Sequence, residues 1–126
     1  MKYQSQNVTD YPNNNTIFIV WKFKEGANIK PAFERLCSLI DNLNNSFTIR
    51  LGEGRRSCVM GLGHDDWIKL GLPTPMPKEL QNFQPIEGAK HTAVSTSGDL
   101  HFHLRATNMA ICFDMATAIT NVLNTV

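Results

Sequence analysis

The hydrophobic pattern changes abruptly at residue 16. Residues 1–15 are polar, rich in Asn and interrupted by Pro12, whereas Thr16-Ile17-Phe18-Ile19-Val20-Trp21-Lys22-Phe23 has the β-branched and aromatic content of a strand. Its odd positions, Ile17, Ile19, Trp21 and Phe23, are all apolar. Phe18 and Val20 are apolar on the opposite side, so both faces of this strand expect cover, and one layer of helices cannot supply it. Gly26 and Asn28 then precede a helical pattern with Pro31 in its first turn and Ile29, Phe33, Leu36, Ile40 and Leu43 on one face. Asn44 and Asn45 are expected to end that helix, and Thr48-Ile49-Arg50-Leu51 to lead into a second strand, Ser57 to Gly63, after a loop or bulge at Gly52 and Gly54.

From His64 to Gly88 the periodicity fails. Asp65-Asp66-Trp67-Ile68-Lys69-Leu70 fits one or two helical turns, which Pro73, Pro75 and Pro77 stop; the Pro-x-Pro-x-Pro run reads as a semi-rigid surface connector, with a polyproline ligand as the alternative. Leu100 to Ala106 alternates strictly, with Leu100, Phe102 and Leu104 on one face and His101, His103 and Arg105 on the other. Thr107 or Asn108 caps a last helix whose apolar face is Cys112, Met115, Ile119 and Val122, reinforced by Ile111, Ala116 and Leu123.

The resulting order is strand, helix, strand, insertion, strand, helix. It predicts an α+β domain of the ferredoxin-like, split β-α-β type, an antiparallel sheet with helices on one face and its final strand missing. That strand would pair beside the first, leaving Thr16 to Phe23 as a long apolar edge, which intact proteins rarely tolerate. The expected division is a polar extension over 1–15 and a single incomplete domain over 16–126, with a Pro-rich insertion at about 64–90.

Composition narrows the function classes. At 126 residues, 42% hydrophobic and 18% charged, the chain has the makings of one core. Twelve Lys and Arg against 11 Asp and Glu leave no field to hold a nucleic acid or an anionic membrane. The start, Met1-Lys2-Tyr3-Gln4-Ser5-Gln6-Asn7, has no apolar signal core, and no apolar run reaches bilayer length, so a soluble, cytoplasmic protein is expected. Cys37, Cys58 and Cys112 are odd in number, widely spaced and set in apolar stretches, which reads as buried free thiols.

Three constellations carry candidate chemistry. His101 and His103, two apart on a strand face, could meet one metal ion, but two ligands fall short of a site; a polar face packed on a partner layer with Arg105 is the reading taken for them. His64-Asp65-Asp66 offers an imidazole beside two carboxylates, yet adjacent side chains rarely converge, and an Asp at a helix N-cap explains Asp65 or Asp66 without chemistry. Gly52-Glu53-Gly54-Arg55-Arg56 lacks phosphate-loop spacing and reads as a turn.

Three segments together resemble the N-terminal half of the dye-decolorizing peroxidases, a haem peroxidase family. They are Ile17 to Phe23 as the opening strand, Val59-Met60-Gly61-Leu62-Gly63-His64-Asp65-Asp66-Trp67 as a Gly-x-Gly-x-x-x-Trp segment, and Thr96 to Ala106 as a Thr-x-x-Asp-Leu strand. The resemblance covers about Thr16 to Val126. It implies two ferredoxin-like halves with facing sheets, which would cover both faces of the first strand and give His101, His103 and Arg105 a layer to pack against. It also implies haem b in the complete enzyme, used with peroxide to oxidise bulky substrates.

The distal Asp and Gly that the resemblance implies belong to a Gly-x-x-Asp-Gly motif beyond the last helix, and this sequence contains no such motif. The distal Arg and the proximal His lie later still. No catalytic, cofactor-binding or metal-binding residue is therefore assigned in this chain, and neither His101 nor His103 is promoted to axial ligand. The expected partner is a C-terminal peroxidase domain, and the chain alone is expected to be inactive and to bind no haem. Two other readings stand beside this one: a stand-alone ferredoxin-like ligand-binding or interaction module closed by dimerisation, and a small metal-binding domain using His101 and His103.

Overall fold

The computed structural model describes residues 5–10, 12–51 and 56–126. Three strands, β1 (Asn15–Trp21), β2 (Arg56–Leu62) and β5 (Leu100–Ala106), form one antiparallel sheet in the order β1-β5-β2. The helices α1 (Ile29–Leu51) and α3 (Met109–Leu123) both pack on one face of it. Between β2 and β5 lie a short helix, α2 (His64–Lys69), and a small hairpin of β3 (Ile86–Glu87) and β4 (Thr92–Ala93). The α+β, ferredoxin-like arrangement with helices on one face is thus the observed one. Within the described residues β1 pairs only with β5 and stands at the sheet's edge.

The strict alternation read in β5 decides the layering. Leu100, Phe102 and Leu104 are fully buried under the helices, opposite Trp21, Ile19 and Ile17 of β1 and Leu62, Met60 and Cys58 of β2. From the helices, Leu36 and Ile40 of α1 and Cys112, Met115, Ile119 and Leu123 of α3 close this core. The start of α3 is held as its sequence predicts: the Asn108 side chain accepts a hydrogen bond from the Ala110 amide at 2.8 Å.

Three expectations need correction. Helix α1 does not stop at Asn44 and Asn45 but continues through Thr48-Ile49-Arg50 to Leu51. Asn45 bonds back to Asp41, Thr48 Oγ1 donates to the Asn44 carbonyl at 2.8 Å, and the Arg56 guanidinium donates to Asn44 and Thr48, so the polar pair is satisfied inside the helix. That cation also complements the negative end of the helix. Neither Asp65 nor Asp66 is the N-cap of α2; Gly63 is, with no side-chain cap, because both carboxylates lie inside the first turn. Cys37 is exposed, since it sits on α1 away from the Leu36 and Ile40 face, while Cys58 and Cys112 are buried. The proposed loop at Gly52-Glu53-Gly54-Arg55 falls outside the described residues.

Candidate functional site

The helix-free face of the sheet is the candidate site. Register places three rows across it: Thr16, Arg105 and Ser57; Phe18, His103 and Val59; Val20, His101 and Gly61. Each row has one residue from the central strand and one from each neighbour, so β5 alternation fixes the character of the whole face.

The first row is covered. Arg105 is 8% exposed and donates to the carbonyls of Asp10 at 2.8 Å and Val8 at 3.4 Å and to Ser57 Oγ at 3.2 Å, so residues of the N-terminal segment lie over this end. Gln6 extends the cover to the outer edge of β2, where its side-chain amide donates to the Met60 carbonyl at 2.9 Å and accepts from the Met60 amide at 2.8 Å. A side-chain amide thereby stands where a neighbouring strand would pair. The polar reading of residues 1–15 missed this, because a Gln clamp on a strand edge has no local sequence signal.

The other two rows are open. Phe18 and Val20 are 61% and 66% exposed. The Phe18 ring stacks on His103, with centroids 4.4 Å apart, and lies tilted against His101 at 6.0 Å. Burial, then Arg105, then His101 push the His103 pKa below that of an ordinary imidazole, which favours the uncharged form of the stacked ring. An aromatic, weakly charged, flat surface results. It suits contact with another apolar layer better than capture of a small ion. Phe18 packs against both imidazoles, and among the described residues no set of three His, Cys, Asp or Glu side chains is placed to hold a metal.

The His64-Asp65-Asp66 triplet splits. His64 Nδ1 and Asp65 Oδ1 are 2.8 Å apart, and Asn82 Nδ2 donates to the same oxygen at 3.0 Å; these bonds hold the Asp65 carboxyl below the usual carboxylate range. Adjacent residues here do converge, against expectation, because Asn82 of the insertion returns to tie Asp65 down. His64 borders a recess of about 430 Å³ with Met76, Lys78 and Gln84, in which no hydroxyl or thiol stands as a nucleophile. Asp66 instead turns inward and is 1% exposed. Nor do the cysteines offer one: burial pushes the Cys58 thiol up to about 12 and raises those of Cys37 and Cys112.

A family profile described as Dyp-type peroxidase, N-terminal, matches residues 5–125. The chain belongs to that family. A dye-decolorizing peroxidase of Rhodococcus erythropolis is 39% identical over 107 residues, which are 85% of this chain and 30% of that protein. Among solved structures, a dye-decolorizing peroxidase from Bacteroides thetaiotaomicron superposes with a TM-score of 0.85 at 36% identity, covering 94% of this chain and 38% of that one. A Rhodococcus jostii DypB variant in complex with heme gives a TM-score of 0.82 at 30% identity, again over 94% of this chain and 38% of that one. The Dyp-type N-terminal chain therefore spans about a third of the length of the relatives it matches. Among its described residues no helix is long and apolar enough to cross a membrane.

Proposed function

We propose that this Dyp-type N-terminal domain is the scaffold half of a dye-decolorizing haem peroxidase, and that Phe18, Val20, His101 and His103 form the surface buried by the C-terminal domain. The observation that carries the reading is the exposure of Phe18 and Val20 on a sheet whose other face is fully packed. In the complete protein, haem with peroxide would oxidise bulky organic substrates, as the names of the relatives suggest.

The residues of this chain do not fit the haem itself. A porphyrin needs an apolar slot and an axial donor aimed into it. A recess bordered by Phe23, Ala27 and Ile29 also carries Lys22, Lys24, Glu25, Asp66, Lys69 and Asp99 and has no imidazole; another, bordered by Met76, Pro77 and Leu80, has His64, whose Nδ1 is bonded to Asp65, among Lys78, Gln81, Asn82 and Gln84; and on the sheet His103 stacks on Phe18 with His101 tilted beside it. The iron ligand and the groups that act on peroxide belong, in this reading, to the partner domain. Three free cysteines support a cytoplasmic location.

Titrating haem into the 126-residue chain, with His101→Gln and His103→Gln alongside, tests the assignment. No saturable Soret band and no peroxide-dependent dye oxidation are expected. A stoichiometric band lost on either substitution, or robust turnover by the chain alone, overturns it. A monodisperse dimer that buries Phe18 would instead favour an interaction module closed by self-association.

A further inference from the structure

The insertion between β2 and β5 divides into two parts that the fold treats differently. Its first part lies on the domain: Trp67 Nε1 donates to the Pro73 carbonyl at 3.2 Å, and Leu72, Met76 and Leu80 are half-buried. From Gln81 to Gly98 every residue is exposed. This second part carries β3 and β4, whose two pairs, Ile86 with Ala93 and Glu87 with Thr92, are closed by a bond of 2.8 Å from the Gly88 amide to the His91 carbonyl. Its ties to the rest of the domain are confined to its ends. Asn82 donates to Asp65 at one end, and at the other Ser97 Oγ accepts from Lys22 Nζ at 3.1 Å. Among the described residues no hydrogen bond joins 83–96 to the body of the domain.

A hairpin of two ladder pairs is too small to order itself in water. Burial of apolar surface would offset the entropy lost in ordering it, yet Phe83, Ile86 and Val94 are each more than half exposed. These side chains lie on both of its faces: Ile86 shares one with its partner Ala93, and Val94, next in the chain, falls on the other. The charged residues of the segment, Glu87 and Lys90, are at the tip. The hairpin is thus apolar toward its root and charged where it turns, so the surface that covers it stands at the root. The root adjoins the open face of the sheet. Gly98 passes so close to Val20 that a Cβ there would stand 2.5 Å from Val20 Cγ1, and Val20 belongs to the exposed row with His101 and Gly61.

We infer that residues 81–98 are an interdomain clasp, in which Phe83, Ile86 and Val94 grip the flank of the same C-terminal domain that Phe18 and Val20 receive; the inference rests on the scaffold reading above. Two observations select this occupant. The apolar root of the hairpin is continuous with the open face, so a domain seated on that face meets both. The chain also covers only 30% of one relative and 38% of another, which leaves in each a body of chain large enough to fill the angle between face and hairpin. The tip, with Glu87 and Lys90, remains in water.

The test is hydrogen exchange, read by mass spectrometry, in the complete haem-bearing protein and in the 126-residue chain. In the chain alone the amides of 82–86 and 93–96 are expected to exchange close to the unstructured rate, and in the complete protein about tenfold more slowly or better. Ile86→Ser combined with Val94→Ser should abolish that slowing and reduce the Soret absorbance that survives gel filtration. The same pair should leave the denaturant midpoint of the 126-residue chain unchanged, because both side chains are exposed there. A lowered midpoint would mean that they pack within this domain, and overturns the inference. Exchange as fast in the complete protein as in the chain alone also overturns it; the scaffold reading survives that result if Phe18→Ser still weakens haem retention, and falls with it if Phe18→Ser has no effect. Slowing that disappears on dilution to the monomer places the hairpin on a second copy and likewise overturns the clasp. If the double variant does not fold, exchange in the unmodified protein decides alone.

Discussion

One sheet presents two faces built from the same three strands, and they differ in every physical respect. The covered face pairs Phe102, Leu100 and Leu104 of β5 with apolar neighbours on β1 and β2 and closes them under α1 and α3. On the open face, the same strand sets His101, His103 and Arg105 between Val20, Phe18 and Thr16 on one side and Gly61, Val59 and Ser57 on the other. The covered face is finished by the chain's own helices. The open face is finished at one end only, where the carbonyls of Val8 and Asp10 meet Arg105. The difference lies in cover and not in residue type: β1 is apolar on both sides, and the described residues pack helices on one of them.

Substitutions can break this contrast, and Phe102→Ala should be the most damaging. Removing a fully buried ring from the centre of the covered face is expected to cost about 3–5 kcal/mol, read as a lowered denaturant midpoint. Arg105→Ala should come next. It deletes the bonds that hold residues 8 and 10 over the sheet and leaves Ser57 without its cationic donor; a loss of about 1–3 kcal/mol is expected, with faster proteolysis near those residues. Phe18→Ser should be the mildest in this chain, within about 0.5 kcal/mol, because its ring is mostly in water. In the complete protein the ranking should sharpen: Phe18→Ser is then expected to weaken domain association and haem retention, measured by the Soret absorbance surviving gel filtration. An unaltered band would show that the open face is not the contact.

How much was legible depended on whether a signal was local. The period-two alternation from Leu100 to Ala106 placed both faces of β5 residue by residue, and the helical spacing of Cys112, Met115 and Ile119 gave the buried side of α3. Asn44 and Asn45 misled, because what keeps α1 going is Arg56, which arrives from the next strand to bind the Asn44 carbonyl and Thr48. The His64-Asp65-Asp66 triplet was visible as composition but not as geometry: Asn82 captures Asp65, while Asp66 turns inward at a recess that Asp99 also borders.

The sequence by itself determined the order of the three sheet strands and the two long helices, though not the β3–β4 hairpin of the insertion, together with the two-sided character of β1 and the motif segments by which the family is identified. Those properties are written in periodicity and residue type over a few neighbouring positions, so the chain need not be folded in the mind to read them. Only the tertiary structure decided which polar groups meet. Gln6 on the β2 edge, Arg105 beneath the N-terminal segment, and Asn82 on Asp65 are pairings distant in sequence. A polar side chain's partner and its proton depend on what folding brings beside it and on how much water folding removes.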